Sequence, residues 1–183
     1  MTAIFRRNLA DYVEYHRDPN NCAMHVFGII VLFLAAVLPL SLWPVTVLGL
    51  QANVAVFMVL PVLIYWLLLD VALGLAIVGA AIVLLLIAAA ISSQTSEAAV
   101  WVISIVLAVV GLSAQIVGHK VFENRQPALA DNPTHLLMGP MFVMAKLFIA
   151  LGFRNDLAAV IRQGSSSASN RQSFYQGDAQ QDS

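Results

Sequence analysis

Between Asp18 and His119 the chain carries neither lysine nor arginine, while apolar segments follow one another almost without a break. Asp70 is the only charge between Asp18 and Glu97. So little polar surface cannot keep that stretch in water, and the natural solvent for it is a bilayer. Composition agrees. Of 183 residues, 60% are hydrophobic and 10% charged, with mean hydropathy +0.84, whereas a soluble domain carries about 25% charged residues. The expected fold is a single all-α integral membrane domain over residues 1–163, followed by a polar Ser/Gln-rich tail over 164–183 that reads as disordered. A net charge of −1 gives no electrostatic case for a nucleic-acid partner. The single cysteine, Cys22, excludes an intramolecular disulfide and any Cys-rich zinc or iron–sulfur site. A secretory signal is not expected, because 25 residues including Asp11, Glu14 and Asp18 precede the first apolar run.

The apolar segments are Val26–Trp43, Ala52–Leu69, Val71–Ile91 and Ala98–Val117, each 18 to 21 residues long. About 20 helical residues cross a bilayer core, so four transmembrane helices are expected. Asp70 marks a tight hairpin between the second and third and fits a helix cap. Ala72, Ala76 and Ala80 form a small-xxx-small row for close packing of the third. Residues 4–16 read as an N-terminal amphipathic helix lying in the interface, with Ile4, Phe5, Leu9, Tyr12 and Val13 on one stripe. Asp18-Pro19-Asn20-Asn21 is a turn that caps the next helix. Tyr12, Tyr15 and Trp43 fit an aromatic belt. The fifth segment, Leu136–Phe153, holds Gly139-Pro140 and, near its middle, Lys146. A central lysine costs about 2.5–3.5 kcal/mol on insertion scales, so this segment is read as re-entrant or interfacial. Arg6, Arg7, Arg17, Lys120 and Arg125 fall on one side of the membrane, joined by Arg154, Arg162 and Arg171 of the tail. The opposite loops carry no basic residue, which places both termini in the cytoplasm.

All four histidines land on that same side. His16 and His25 precede the first crossing and His119 follows the fourth, so an even number of crossings lets the three meet; His135, heading the fifth segment, is a fourth candidate. Converging neutral imidazoles are the raw material of a metal site. On one continuous helix His16 and His25, nine apart, would point about 180° away from each other. The Asp18–Asn21 turn removes that obstacle. Asn21 and His25 are four apart and share a helical face, as do His119 and Glu123. A His–Glu pair at that spacing supplies two ligands, or one ligand and its orienting partner; Glu123 equally fits an ion-pair partner for Lys120 or Arg125. Cys22 reads as a small packing residue. Imidazole, carboxylate and water suit both Fe(II) and Zn(II). The surroundings favour a lipid-like substrate entering between helices. No G-x-G-x-x-G or P-loop is present, so no organic cofactor is indicated.

Two stretches carry a resemblance. Tyr15-His16 followed by Asn21, His25 and Gly28 is similar to the N-terminal signature of the 2-hydroxy fatty acid dioxygenase family. Gln115, Gly118-His119, Glu123 and Pro127-Ala128-Leu129 resemble its second, and Asn132-Pro133, Leu136 and Gly139-Pro140 a weaker third. The resemblance implies Fe(II)-dependent α-oxidation: a long-chain 2-hydroxy fatty acid and O₂ yield CO₂ and the acid one carbon shorter. It implies iron ligation by His16, His25 and His119, in a bacterial inner membrane or the endoplasmic reticulum. A 2-hydroxy acid can chelate iron through its carboxylate and hydroxyl oxygens, and Arg7, Arg17, Lys120 or Arg125 could draw that carboxylate to the interface. The competing readings are a zinc-dependent membrane hydrolase with Glu123 as general base, and a non-enzymatic membrane scaffold or small transporter. Nothing in the sequence specifies an oligomer.

Overall fold

Asp18 sets where the first long helix begins. Its extended backbone and side chain cap α2 (Pro19–Leu40), accepting from Asn20 N at 2.7 Å and Asn21 N at 3.3 Å. Pro19 sits in the first turn, where a missing N–H removes no helical bond. The computed structural model describes residues 1–14, 16, 18–123 and 135–162, and these are mostly helical. The 164–183 tail, Tyr15, Arg17 and Arg125 lie outside the described residues.

Before that cap runs α1 (Ala3–Glu14), with Phe5, Leu9, Tyr12 and Val13 all buried. Ile4 departs from the expected stripe and is 65% exposed, because one residue step from Phe5 turns it about 100° off that face. The buried stripe joins a core cluster with α6 side chains, so α1 spends its apolar face on protein.

After α2 comes a feature the sequence reading lacks. Strands β1 (Pro44–Val47) and β2 (Leu50–Asn53) pair antiparallel, with Pro44 opposite Asn53 and Val47 opposite Leu50. Leu48 (φ 52°) and Gly49 (φ 82°) make the turn. The hairpin consumes the start of the second apolar segment, so α3 (Val54–Leu69) has 16 residues. At 1.5 Å per residue that is about 24 Å, shorter than the roughly 30 Å of a bilayer core. Helix α4 (Val71–Gln94) has 24 residues, and α5 (Glu97–Val117) is prolonged by a π-helical turn, Gly118–Glu123. Three helices, α2, α4 and α5 with its extension, are long and apolar enough to cross a membrane. The fifth segment forms α6 (His135–Ala150) and α7 (Asn155–Arg162), bent by 119° to each other around Gly152 (φ 80°), the geometry of a broken span or a re-entrant loop. Counting that pair as one span gives four.

The helices alternate in direction, and two core clusters mark their ends. Val37, Leu38, Ala55, Ala88 and Val100 pack at the hairpin end. Trp66, Leu69, Leu73, Ile77 and Cys22 pack at the other, with α1, α6 and α7 closing over them. Outward-facing Leu68, Leu75, Leu86, Ile105 and Val109 stay exposed, as lipid contact requires. The small row Ala72, Ala76, Ala80 is not the packed face of α4. Leu73, Gly74, Ile77 and Ala81 are, because the hairpin at Asp70 turns that face onto α3.

Asp70 caps α4 by accepting from Leu73 N at 3.2 Å, as the sequence suggests. It also receives a two-pronged contact from Arg154, at 3.0 and 3.1 Å, and Arg154 reaches Asp156 as well. Burial pushes the Asp70 carboxyl up, but the Arg154 hydrogen bonds and charge and the Leu73 N–H outweigh it and leave its pKa below the ordinary value. A lowered folded-state pKa means the contribution is complete above the unfolded value, about 3.9, and is lost as pH falls through the folded one. Asp70→Asn should therefore destabilise the protein at pH 7 by about 1.5–3 kcal/mol and flatten the acid limb of its stability profile. Thermal unfolding in detergent from pH 7 to pH 3 measures both; parallel acid limbs in variant and wild type would refute the linkage.

Candidate metal centre

Three elements deliver three imidazoles to one point. His16 lies in the connection between α1 and α2, His25 in the second turn of α2, and His119 in the π-helical turn after α5. The rings sit edge-on to one another, with centroids 4.3 Å apart for His16–His25, 4.7 Å for His25–His119 and 5.0 Å for His16–His119. One nitrogen from each lies within 4.8 Å of the other two, and all three residues are buried. The Asp18 turn makes this possible: it breaks the helix between His16 and His25, so two residues that a continuous helix would point apart face each other.

The opposite ring edges are held. His16 Nδ1 is 3.0 Å from the Tyr12 carbonyl, and His25 Nδ1 lies 3.1 Å from Asn21 Oδ1 and 3.3 Å from the Asn21 carbonyl. A carbonyl only accepts, so both Nδ1 atoms carry the proton and both Nε2 atoms keep their lone pairs. This is the tautomer a metal ligand needs. His16 Nε2 and His119 Nδ1 are buried ring nitrogens that take no hydrogen bond from a described residue. Three neutral nitrogen donors in a dry site, with no thiolate among them, fit a first-row transition-metal ion such as Fe(II) or Zn(II).

A tight wall surrounds the cluster. The Tyr12 ring stacks flat on His16 at 4.0 Å with planes 5° apart, and burial pushes its phenol pKa up. Tyr12 is thus part of the site, not of an aromatic belt. Phe142 of α6 touches both, 5.1 Å from Tyr12 and 5.9 Å from His16. The close pairing of α2 with α5 depends on glycines. A Cβ on Gly28 would lie 2.7 Å from Gln115 Nε2, and one on Gly118 only 2.5 Å from Asn21 Oδ1, the atom that holds His25.

His16, His25, His119 and Asn21 therefore come together as the sequence reading places them. Glu123 closes the π-helical turn and His135 opens α6; the side chains of both lie outside the described part of the structure. The π-turn departs from the α-helical register assumed for His119 and Glu123, since its bonds run from i to i+5. Sequence reasoning assigned Tyr12, Phe142, Cys22 and Lys146 no part at the histidines. Lys146 Nζ is 2.9 Å from Cys22 Sγ, and that thiol reaches the His16 carbonyl at 3.5 Å. Tyr12 had a signal in its four-residue spacing before His16, and Lys146 in its charge within an apolar segment.

Fold and site define a class: a helical protein with several apolar helices able to span a membrane and a buried three-histidine cluster able to hold a metal ion. The family described as 2-hydroxy-palmitic acid dioxygenase Mpo1-like matches residues 2–151, and the chain belongs to it. That is the family its two histidine-bearing stretches resemble. A Saccharomyces cerevisiae protein named 2-hydroxy-palmitic acid dioxygenase MPO1 is 43% identical over 53 residues, 28% of this chain and 30% of the yeast protein. The matched stretch is thus under a third of that relative's length. No solved structure matches.

Gly118→Ala should push Asn21 off His25 and weaken transition-metal binding about 10–100-fold, as should Asn21→Ala. Competition with a chelator in detergent measures this. Wild-type affinity in both variants would show that Asn21 does not hold His25 in place.

Proposed function

We propose that the protein is an Fe(II)-dependent dioxygenase that converts a long-chain 2-hydroxy fatty acid and O₂ into the acid one carbon shorter, CO₂ and water. Convergence of His16, His25 and His119 carries the reading, in a chain whose family is described as 2-hydroxy-palmitic acid dioxygenase Mpo1-like. The reaction balances as R–CH(OH)–COOH + O₂ → R–COOH + CO₂ + H₂O. The substrate gives up four electrons and O₂ takes four, so neither a reductase nor an organic cofactor is called for. Bound Fe(II) would supply coordination positions where the hydroxy acid and O₂ meet.

The chain's own residues do the rest. His16, His25 and His119 present lone pairs, with the first two fixed in tautomer by the Tyr12 carbonyl and Asn21. Tyr12 and Phe142 close the flank and keep water away. Glu123 we assign to orientation or a further ligand and His135 to an additional ligand. The substrate tail lies along the apolar helices. The histidine end faces the cytoplasm: Arg6, Arg7, Lys120 and Arg154 are at that end of the helices, while the hairpin end and the Ser92–Glu97 connection carry no basic residue.

His16→Ala, His25→Ala and His119→Ala should each deplete bound iron and abolish turnover, since two imidazoles chelate weakly. Iron analysis of each variant tests this; full iron occupancy in all three would misplace the site. Glu123→Gln that keeps iron but loses activity would assign Glu123 to orientation.

In the reaction itself, one O₂ should be consumed per 2-hydroxy acid, with CO₂ released. Short acids should be poor substrates, because each buried CH₂ contributes about 0.8 kcal/mol. Plain fatty acids should give no turnover, having lost the hydroxyl arm. Oxygen uptake with product mass spectrometry decides. Equal rates on hydroxylated and plain acids would overturn the mechanism, and bound zinc without O₂ uptake would point to a hydrolase.

A further inference from the structure

Lys146 is a cation in the middle of an apolar helix, half-buried, on the face of α6 that turns toward the histidines. Among the described residues it meets no carboxylate. Its ammonium lies 2.9 Å from Cys22 Sγ and 4.9 Å from the centre of the Phe142 ring. A thiol is a weak acceptor, and a ring face offers a cation about 0.5–2 kcal/mol. Neither is the partner that justifies a charge in an apolar segment, where ionisable residues are rare and mark ligand paths. Asp70, a buried charge at the same end, has its arginine. Among the described residues Lys146 has a sulfur and a ring face as partners, and no anion.

Both partners adjoin the metal cluster. The Phe142 ring that receives Lys146 also touches His16, and the thiol that receives Lys146 reaches the His16 carbonyl. Arg7 and Lys120, by contrast, are exposed, where a charge is screened by water. We propose that Lys146 is the carboxylate subsite of this centre: its ammonium leaves Cys22 and pairs with the head group of a long-chain acid whose tail runs between the apolar helices. The flexible four-carbon stem permits that exchange, and a compact ammonium suits one carboxylate oxygen. Lys146 is a binding and positioning residue here, and the assignment rests on the long-chain-acid reading above. It replaces Arg7 and Lys120 as the residue expected to take the carboxylate.

The test compares charge, in the full-length protein in detergent. Equilibrium binding of palmitate and of methyl palmitate is measured for wild type, Lys146→Met, Lys146→Gln and Lys146→Arg, alongside KM and kcat for 2-hydroxypalmitate. Wild type should prefer acid to ester about 10–100-fold, the range a charge-assisted hydrogen bond produces. Lys146→Met and Lys146→Gln should cut the preference sharply and raise KM by a similar factor with kcat less changed, while Lys146→Arg keeps most of it. Wild type that binds ester as tightly as acid overturns the proposal without any variant, as do Met and Gln variants that keep the preference. If acid binding depends on Lys146 but no O₂ is consumed, the dioxygenase reading fails and the subsite stands. If O₂ is consumed and Lys146→Met prefers the acid as wild type does, the subsite fails and the dioxygenase reading stands.

Discussion

The close approach of α2 to α5 is the constraint on which the rest depends. Between helices in lipid there is no hydrophobic gain from association, so packing and interhelical polar contacts must hold them. Here the contact runs the length of the pair: Gly28 against Gln115, Gly111 against Leu32, Gly118 against Asn21. The last of these is also chemical. Asn21 fills the space that Gly118 leaves and holds His25 by its ring nitrogen, one residue from where His119 leaves the other helix. Backbone proximity and imidazole convergence are one event in this fold. The π-turn beginning at Gly118 belongs to the same event, since a widened turn re-aims a side chain without breaking the helix.

Much of this was legible in the sequence because a bilayer permits so few arrangements. The absence of lysine and arginine between Asp18 and His119 marked the run of apolar helices whose ends bring the histidines together, and the Asp18–Asn21 turn gave the break that lets His16 face His25. Local chemistry of that kind is carried by neighbouring residues. The hairpin Pro44–Asn53 was not legible: its turn is Leu48-Gly49, not the Asn-Gly that marks such turns, and its residues are as apolar as the helices beside it. The packed face of α4 was misread because Ala72, Ala76 and Ala80 are the conspicuous small residues, yet rotation of a helix about its axis is set by its neighbours. The Arg154–Asp70 and Lys146–Cys22 contacts span 84 and 124 residues. Nothing local announces a contact of that range.

The charges of this apolar chain show how the two long-range contacts differ. Asp70 is buried, receives an arginine fork and caps a helix, so its negative charge is fully answered within the protein. It ties the α6–α7 connection to the α3–α4 corner, beside the core that α1, α6 and α7 share. Arg154 thereby fixes the floor on which Phe142 and Lys146 stand. A cation in the same end of the molecule answered only by sulfur and a ring face is chemically unfinished, and a membrane interior raises the penalty for leaving it so.

On the proposed reading, the histidines and Lys146 would divide the recognition of an acid between them. His16, His25 and His119 are neutral donors that would leave the charge of a metal ion uncompensated and so favour an acid there, and the acid's carboxylate would need a further donor in a site flanked by Tyr12 and Phe142. With water excluded, that donor must come from the protein, because an unmatched buried charge costs several kcal/mol. Of the described cations only Lys146 shares the wall of the cluster. Lys146 would then supply the part of the selectivity for acids over their esters that the histidine centre does not.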